Sequence, residues 1–155
     1  YDLWTLYNRR HYSEFGASKY TQGKAPFKVQ VLLKNFLETA DTIVGRKDYH
    51  GATLRFGHEV YLMPLAAIME LGHVGETIEN TDTLDRVWVN SNIFPMGGNI
   101  QLVFYRPKKG KDGDILVKAL LQEREVTLPV TPVKFPYYKW EDLRKYYLRK
   151  LASVQ

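Results

Sequence analysis

The sequence contains no cysteine among its 155 residues. This absence excludes disulfide bonds, a zinc site with thiolate ligands and a cysteine nucleophile. The apolar runs also fall well short of the roughly 20 residues that a membrane-spanning helix needs. The chain opens with YDLWTLYNRR, which has neither an initiator methionine nor the basic and then apolar pattern of an export signal. We therefore expect no membrane span and a chain that begins inside a longer polypeptide.

The composition is that of a folded domain, because 45% of the residues are apolar and 14% are aromatic. The net charge is +5 and the calculated isoelectric point is about 9.3. A basic protein favours anionic partners, such as nucleic acid, acidic lipid or phosphorylated small molecules. Charge alone does not choose among these classes.

Helical periodicity is clearest between residues 29 and 44, where apolar side chains recur at three- and four-residue spacing. They are Leu32, Leu33, Phe36, Leu37, Ala40, Ile43 and Val44. This spacing predicts an amphipathic helix with Gly45 as its C-terminal cap. The first 25 residues show no clear period, and we expect a short helix followed by an irregular polar stretch.

The next segment predicts a strand followed by a buried helix. ATLRF at 52–56 is short and bounded by glycines, which favours a buried strand. From 60 to 71 nearly every face is apolar, which is typical of an internal helix. Pro64 fits such a helix only in its first turn. We expect the polar segment 72–86 to be a long surface loop.

Two apolar runs at 100–106 and 114–122 predict antiparallel strands, since PKKGKDG between them has the composition of a hairpin connection. Near the end of the chain, apolar residues recur at helical spacing from Trp140 to Leu151. The predicted order is therefore helix, strand, helix, strand, strand, helix. This order is typical of an α/β or α+β chain.

His58 and Glu59 lie between the predicted strand and the buried helix. In open α/β folds, ligands bind at the carboxyl ends of strands, where helix N-termini present unpaired N–H groups. An imidazole can donate to a phosphate oxygen, and a neighbouring carboxyl group can protonate a leaving alkoxide. The spacing leaves a structural alternative open, in which Glu59 caps the helix and His58 is a hydrogen-bonded core histidine.

Four stretches carry a resemblance to a known family: LRFGHEVYLMPLAAIMELG, NIQLVFYR, DILVKALLQEREVTLP and FPYYKWEDLRKYYLRKL. They resemble the histidine phosphatases of the acid phosphatase and phytase branch, most of all the bacterial multiple inositol polyphosphate phosphatases. The resemblance implies an α/β fold, the C-terminal portion of a histidine phosphatase, with a mixed sheet flanked by helices. Residues 1–50 would end a helical cap region, and residues 51–155 would form the C-terminal part of the catalytic core.

The resemblance also implies a chemistry that needs neither cofactor nor metal. A histidine nucleophile takes the phosphoryl group, arginines hold its oxygens, and an acid protonates the departing alcohol. By position, His58 would be a catalytic and substrate-binding residue that contacts the phosphate, and Glu59 would be the proton donor. The acid directly follows the histidine, as in the acid phosphatases, whereas inositol polyphosphate phosphatases often place one residue between them.

The nucleophile of this family lies in an Arg-His-Gly-x-Arg motif that the sequence lacks. Arg9-Arg10-His11-Tyr12 has no glycine after the histidine, and Tyr49-His50-Gly51 has tyrosine in place of the arginine. We interpret both as chance matches. The resemblance implies two partners: an anionic phosphate ester, such as the inositol polyphosphate phytate, as substrate, and a missing N-terminal part of the same enzyme. This chain alone would be inactive, and the whole enzyme would be periplasmic or secreted.

Two other functions stay open at this point. A basic, aromatic-rich module could bind RNA or single-stranded DNA through stacking and phosphate contacts. The basic residues are interspersed with acidic ones and no RNA-recognition motif occurs, so we expect no nucleic-acid partner. The chain could also be an inactive relative that binds phosphorylated ligands without turnover.

Overall fold

The structure is a computed structural model and describes residues 1–46, 50–108 and 111–153. Its α-helices are α1 (Asp2–Phe15), α2 (Gln30–Gly45), α3 (Glu59–Ile68), α4 (Leu84–Val87), α5 (Asn90–Ile93) and α6 (Trp140–Ala152). Its strands are β1 (Ile100–Tyr105), β2 (Leu116–Leu121), β3 (Arg124–Val126) and β4 (Tyr138–Lys139). Short 3₁₀ helices occupy Lys19–Thr21, Ala25–Val29 and Thr81–Thr83.

Helix α1 confirms the short N-terminal helix and ends at Gly16. A Cβ at this position would lie 2.8 Å from the carbonyl oxygen of Tyr12, so only glycine fits. The inner face of α1 buries Asn8, Tyr12 and Phe15. Its outer face leaves the apolar side chains of Leu3, Leu6 and Tyr7 exposed.

Helix α2 confirms the amphipathic helix predicted from the spacing. It buries Leu33, Leu37 and Ala40 on one face. Gly45 belongs to the helix, and Arg46 takes the capping position that the sequence assigned to Gly45. Helix boundaries of this kind shift by a residue because the final turn depends on local hydrogen bonds.

Helix α3 confirms the buried helix, since every residue from 63 to 68 is buried. It begins at Glu59 and ends at Ile68, three residues before the predicted end. The prediction for Pro64 was wrong, because this proline lies in the second turn of α3. Its ring removes only the bond to the carbonyl of Val60, a half-exposed residue of the first turn. Water can satisfy that carbonyl oxygen, so the helix continues.

The predicted strand at 52–56 is wrong for the described chain. Residues 51–58 have no regular structure, and the side chains of Leu54 and Phe56 are 73% and 94% exposed. A strand needs a hydrogen-bonded neighbour, and no strand of the described ranges pairs with this segment. Arg55 holds the segment against α2 instead, by donating to Asn35 and Thr39 at 2.8 Å each.

The prediction of a surface loop at 72–86 was also wrong in part. The segment contains turns, a 3₁₀ helix and most of α4. Val74, Ile78 and Leu84 are buried in the core. These apolar residues are isolated in the sequence and show no helical or strand period. They are buried because the segment packs against α1 and α3.

The predicted hairpin is confirmed. β1 and β2 pair antiparallel from Ile100 opposite Leu121 to Tyr105 opposite Leu116. Two residues of their connection, 109–110, lie outside the described residues. On the other side of β2, β3 and β4 pair antiparallel with its two ends.

The α/β class is confirmed, but the mixed sheet is not seen where the structure describes the chain. All of the strand pairs there are antiparallel. The segment 52–56, which the sequence predicted as a further strand, stays outside the sheet. β1 therefore forms an edge, with its second side unpaired among the described strands.

Helix α6 confirms the predicted last helix, and its side chains form hydrogen bonds with the residues that follow α3. Buried Tyr147 donates its hydroxyl to the carbonyl of Met69 at 2.7 Å. Lys150 and Tyr146 both bind the carboxylate of Glu70, two residues after the end of α3. In the part of the chain described, every helix is too short or too polar to span a bilayer.

Candidate active site

His58 and Glu59 stand at the start of α3. His58 is the N-terminal cap residue, with an extended backbone at φ −103° and ψ 166°, and Glu59 is the first helical residue. Both side chains are exposed. The alternative of a buried core histidine is therefore wrong, and the His58 side chain forms no capping hydrogen bond.

The backbone at this helix start faces solvent with unpaired donors. The carbonyl of His58 accepts from the N–H groups of Tyr61 and Leu62 at 3.0 and 3.3 Å. The N–H groups of Glu59 and Val60 precede these first helical bonds and have no partner within the helix. The helix dipole adds a positive potential here. An exposed imidazole, an acid and a favourable field for anions thus share one helix end.

The structure adds His11 to this region, 48 residues before Glu59 in the sequence. α1, α3 and α5 pack against one another, and His11 lies on the half-buried side of α1. Its Nδ1 is 3.0 Å from the side-chain amide nitrogen of Asn90. Burial lowers the pKa of His11, while the negative charges of Glu14 and then Glu59 act to raise it. Helix α1, which carries His11, thus packs against the helix that begins with Glu59.

Sequence reasoning set His11 aside as a chance match to the nucleophile motif. The neighbouring arginines agree with that interpretation, since they do not converge on one anion. Arg9 lies 3.6 Å from Asp85, and Arg10 pairs with Glu14 at 2.9 Å. In the second sequence match, His50 is exposed and Tyr49 lies outside the described residues.

Two cavities of about 170 Å³ each lie away from the His58 and Glu59 pair. One is at the end of α3, beside Glu70 and residues 127–129. The other lies between His73, Trp88 and Leu121. His58 and Glu59 instead occupy open surface.

Several of the basic residues in the described ranges are paired with acidic ones. Ion pairs join Lys118 to Glu125, Lys139 to Asp114, Arg144 to Asp41, Lys145 to Glu141 and Lys150 to Glu70. Each of these pairs offsets one positive charge of the kind that attracts nucleic-acid phosphates. Over the same ranges, no cluster of three His, Asp or Glu side chains is arranged to hold a metal ion.

Comparison with known proteins finds likeness among solved structures. No protein-family model and no curated protein sequence matches the chain. Multiple inositol polyphosphate phosphatase from Bifidobacterium longum, solved with inositol hexasulfate, matches with a TM-score of 0.73 and 26% identity over 90% of this chain. Its phosphate complex and its apo form give TM-scores of 0.70 and 0.69, each with 26% identity over 88% of this chain.

The chain has part of a histidine phosphatase fold. It spans 30% of the length of each of these phosphatase chains. The resemblance to multiple inositol polyphosphate phosphatases, seen first in the residues around His58, is confirmed at the level of the fold. The roles of His58 and Glu59 stay predictions, as does the division of the chain at residue 50.

Proposed function

We propose that this chain supplies the proton donor, Glu59, to a phosphatase that hydrolyses inositol polyphosphates. The observation that carries the proposal is the position of Glu59, exposed at the start of α3 beside the imidazole of His58. It is supported by the likeness to a phosphatase solved with inositol hexasulfate and with phosphate. The histidine nucleophile and the phosphate-binding arginines would come from another part of the polypeptide.

In the first step, the imidazole nitrogen of that nucleophile forms a bond to phosphorus, and the bond from phosphorus to the ester oxygen breaks. The carboxylic acid of Glu59 transfers its proton to the departing oxygen, which leaves as an alcohol. In the second step, water attacks the phosphohistidine and loses its proton to the Glu59 carboxylate. Phosphate leaves, and both side chains return to their first state.

His58 has a separate part in this proposal, as a donor to a phosphate oxygen. Its backbone is extended and its side chain forms no capping hydrogen bond, so the imidazole at the N-terminus of α3 is available to bind a ligand. The unpaired N–H groups of the first turn of α3 add to the attraction for the anion. Glu59 then stands one residue further along, within reach of the ester oxygen of the same group.

The experiment replaces Glu59 with Gln in the complete enzyme. A general acid contributes about 10²- to 10⁴-fold to the rate, so we expect the release of phosphate from inositol hexakisphosphate to fall by that factor. With p-nitrophenyl phosphate, the first step, measured as the initial burst of nitrophenolate, should slow far less, because nitrophenolate leaves without protonation. An equal loss on both substrates would remove Glu59 from the role of proton donor.

Glu141 offers a matched control. It is also an exposed acid in the first turn of a helix, α6, and it pairs with Lys145 at 3.2 Å. Glu141→Gln removes the same favourable charge from a helix start as Glu59→Gln does, with a similar small effect on stability. We expect turnover of both substrates to stay at the wild-type level in this variant.

We propose the periplasm or the exterior of the cell as the place of action of the complete enzyme. The proposal rests on the family likeness alone. Fractionation of cells that express the complete gene, followed by a phosphatase assay of each fraction, tests it.

A further inference from the structure

His11 is held in one position by three aromatic rings. Its ring centroid is 5.5 Å from that of Phe94 in an edge-on arrangement. Phe15 and Tyr7 lie at 5.9 and 6.2 Å on the same helix as His11. Such contacts fix the plane of the imidazole where α1 packs against α5. The ring is therefore oriented before any ligand arrives.

The Trp4 indole decides which nitrogen of His11 carries the proton. The indole N–H can only donate, and it lies 3.1 Å from Oδ1 of Asn90. This contact places the oxygen of Asn90 toward Trp4 and its amide nitrogen toward His11, at 3.0 Å from Nδ1. Because that amide nitrogen is a donor, Nδ1 must accept. The proton of the neutral ring is consequently on Nε2.

Asn90 is itself held firmly, so its amide keeps this orientation. Its side chain is 5% exposed, and its backbone N–H donates to Oδ1 of Asn8 at 2.8 Å. Asn8 is fully buried and donates to the carbonyl of Trp88 at 2.7 Å. If the Asn90 amide were reversed, its NH₂ group would face the indole N–H of Trp4. Both groups are donors, so the hydrogen bond between Trp4 and Asn90 would be lost.

The outer nitrogen of His11 is free where the structure describes the chain, since the hydrogen bond found there for this ring is made by Nδ1. Burial lowers the pKa of His11 and favours the neutral ring. Glu59, across the helix boundary, is the charge on α3 that acts on it. Glu14 and Arg10, the other charges that act on it, bind each other on α1. A fixed N–H donor thus lies on α1, which packs against α3, the helix that begins with the candidate proton donor.

We propose that His11 is a substrate-positioning residue of the Glu59 site, which offers its Nε2–H to an oxygen of a phosphate group on the substrate. This role of His11 rests on the proposed function, because that function identifies the ligand as an inositol polyphosphate. It assigns to α1 a direct part in substrate binding. A ring that only filled space among Phe15, Phe94 and Tyr7 would need no polar link to a buried amide.

Two substitutions separate the inner and outer nitrogens. Asn at position 11 places its side-chain oxygen near the site of Nδ1, so it can accept from Asn90, but it has no group at the site of Nε2. Gln extends an amide nitrogen to the site of Nε2 and keeps the outer donor. His11→Asn therefore tests the outer hydrogen bond with the inner one retained. His11→Gln is the variant that should rescue it.

The measurement is the affinity for inositol hexasulfate by calorimetry, with the complete enzyme, because this ligand requires no turnover. We expect His11→Asn to weaken binding about tenfold, the effect of one hydrogen bond to a charged group, and His11→Gln to stay within about threefold of wild type. Equal affinity in wild type and His11→Asn would overturn the proposal. Equal weakening in both variants would overturn it as well, since the outer donor would then be irrelevant.

The tautomer supplies an independent readout. Two-dimensional ¹⁵N NMR of the histidine side chains distinguishes the two neutral forms, and we expect the Nε2–H form for His11. A proton on Nδ1 would contradict the assignment of Nδ1 as the acceptor of the hydrogen bond from Asn90. If the wild-type enzyme binds inositol hexasulfate but does not hydrolyse inositol hexakisphosphate, the proposed function is wrong and the role of His11 in binding can still hold. If the wild-type enzyme turns over and His11→Asn binds with unchanged affinity, the role of His11 is wrong and the proposed function can still hold.

Discussion

Tyr147 donates its hydroxyl proton to the carbonyl oxygen of Met69 at 2.7 Å, and both residues are buried. The bond joins the last helix to the end of α3. Tyr147→Phe would leave the carbonyl of Met69 without a partner in the core. We expect a loss of about 1–3 kcal/mol in the free energy of unfolding. Urea denaturation followed by circular dichroism measures it.

Tyr61→Phe is the control for this substitution, since the ring of Tyr61 lies half exposed on α3. Its effect should stay within about 0.5 kcal/mol, as for most surface changes. If both variants unfold at the same urea concentration, the hydrogen bond to Met69 contributes nothing measurable to stability.

Gly75 and Gly45 should respond to alanine with opposite signs. A Cβ at Gly75 would lie 2.7 Å from the carbonyl oxygen of Ala67 and 2.7 Å from Cγ of Glu70. This overpacking should cost about 1–3 kcal/mol. At Gly45, inside the last turn of α2, a Cβ meets nothing within 4 Å. Alanine there should raise stability by about 0.4–1 kcal/mol, because it restricts the unfolded chain. Thermal denaturation of the two variants compares them, and a shift of the same sign in both would contradict the argument.

The elements that local pattern predicted correctly are those whose apolar residues have a period. α2, α3, α6 and the β1 to β2 hairpin belong to this group. The strand at 52–56 was predicted wrongly because strand formation depends on a neighbour far away in sequence. Val74 and Ile78 were missed for a related reason, since an isolated apolar residue in a polar segment is buried only through tertiary contacts.

The same distinction applies to the candidate site. The placement of His58 and Glu59 at a helix start could be predicted, because a glycine, a polar pair and an apolar helix are adjacent in the sequence. The position of His11 could not, since it depends on how α1 packs against α3 and α5. No signal in the sequence links Trp4, His11 and Asn90, which meet only in the folded chain.

The lowered pKa of His11 predicts a pH dependence of stability. Burial is the main cause of the shift from the ordinary value of 6.5, so the unfolded chain takes up a proton at higher pH than the folded chain does. Protonation therefore favours unfolding. The stabilising contribution is fully present above pH 6.5 and is lost as the pH falls through the lowered value.

Urea denaturation at several pH values between 7.5 and about 5 measures this contribution. We expect the free energy of unfolding to fall more steeply toward low pH in wild type than in His11→Asn, which cannot titrate. The difference between the two curves isolates His11 from the other histidines. Parallel curves would show that the folded and unfolded chains protonate His11 equally.

Phe56 tests whether the segment 51–58 joins a sheet in a longer polypeptide. In this chain the ring is 94% exposed, so Phe56→Ala should change the free energy of unfolding by no more than about 0.5 kcal/mol. In a polypeptide that completes the phosphatase fold, a strand beside this segment would bury the ring. The same substitution should then cost about 3–5 kcal/mol.

Phe15→Ala is the matched control, because Phe15 is already buried in the core of this chain. Its cost should be about 3–5 kcal/mol in both polypeptides. Denaturation of the four variant proteins separates the two positions: only Phe56 should depend on the rest of the polypeptide. A small effect of Phe56→Ala in both would mean that residues 51–58 stay on the surface, and Glu59 would then lack the wall opposite it that a phosphate site requires.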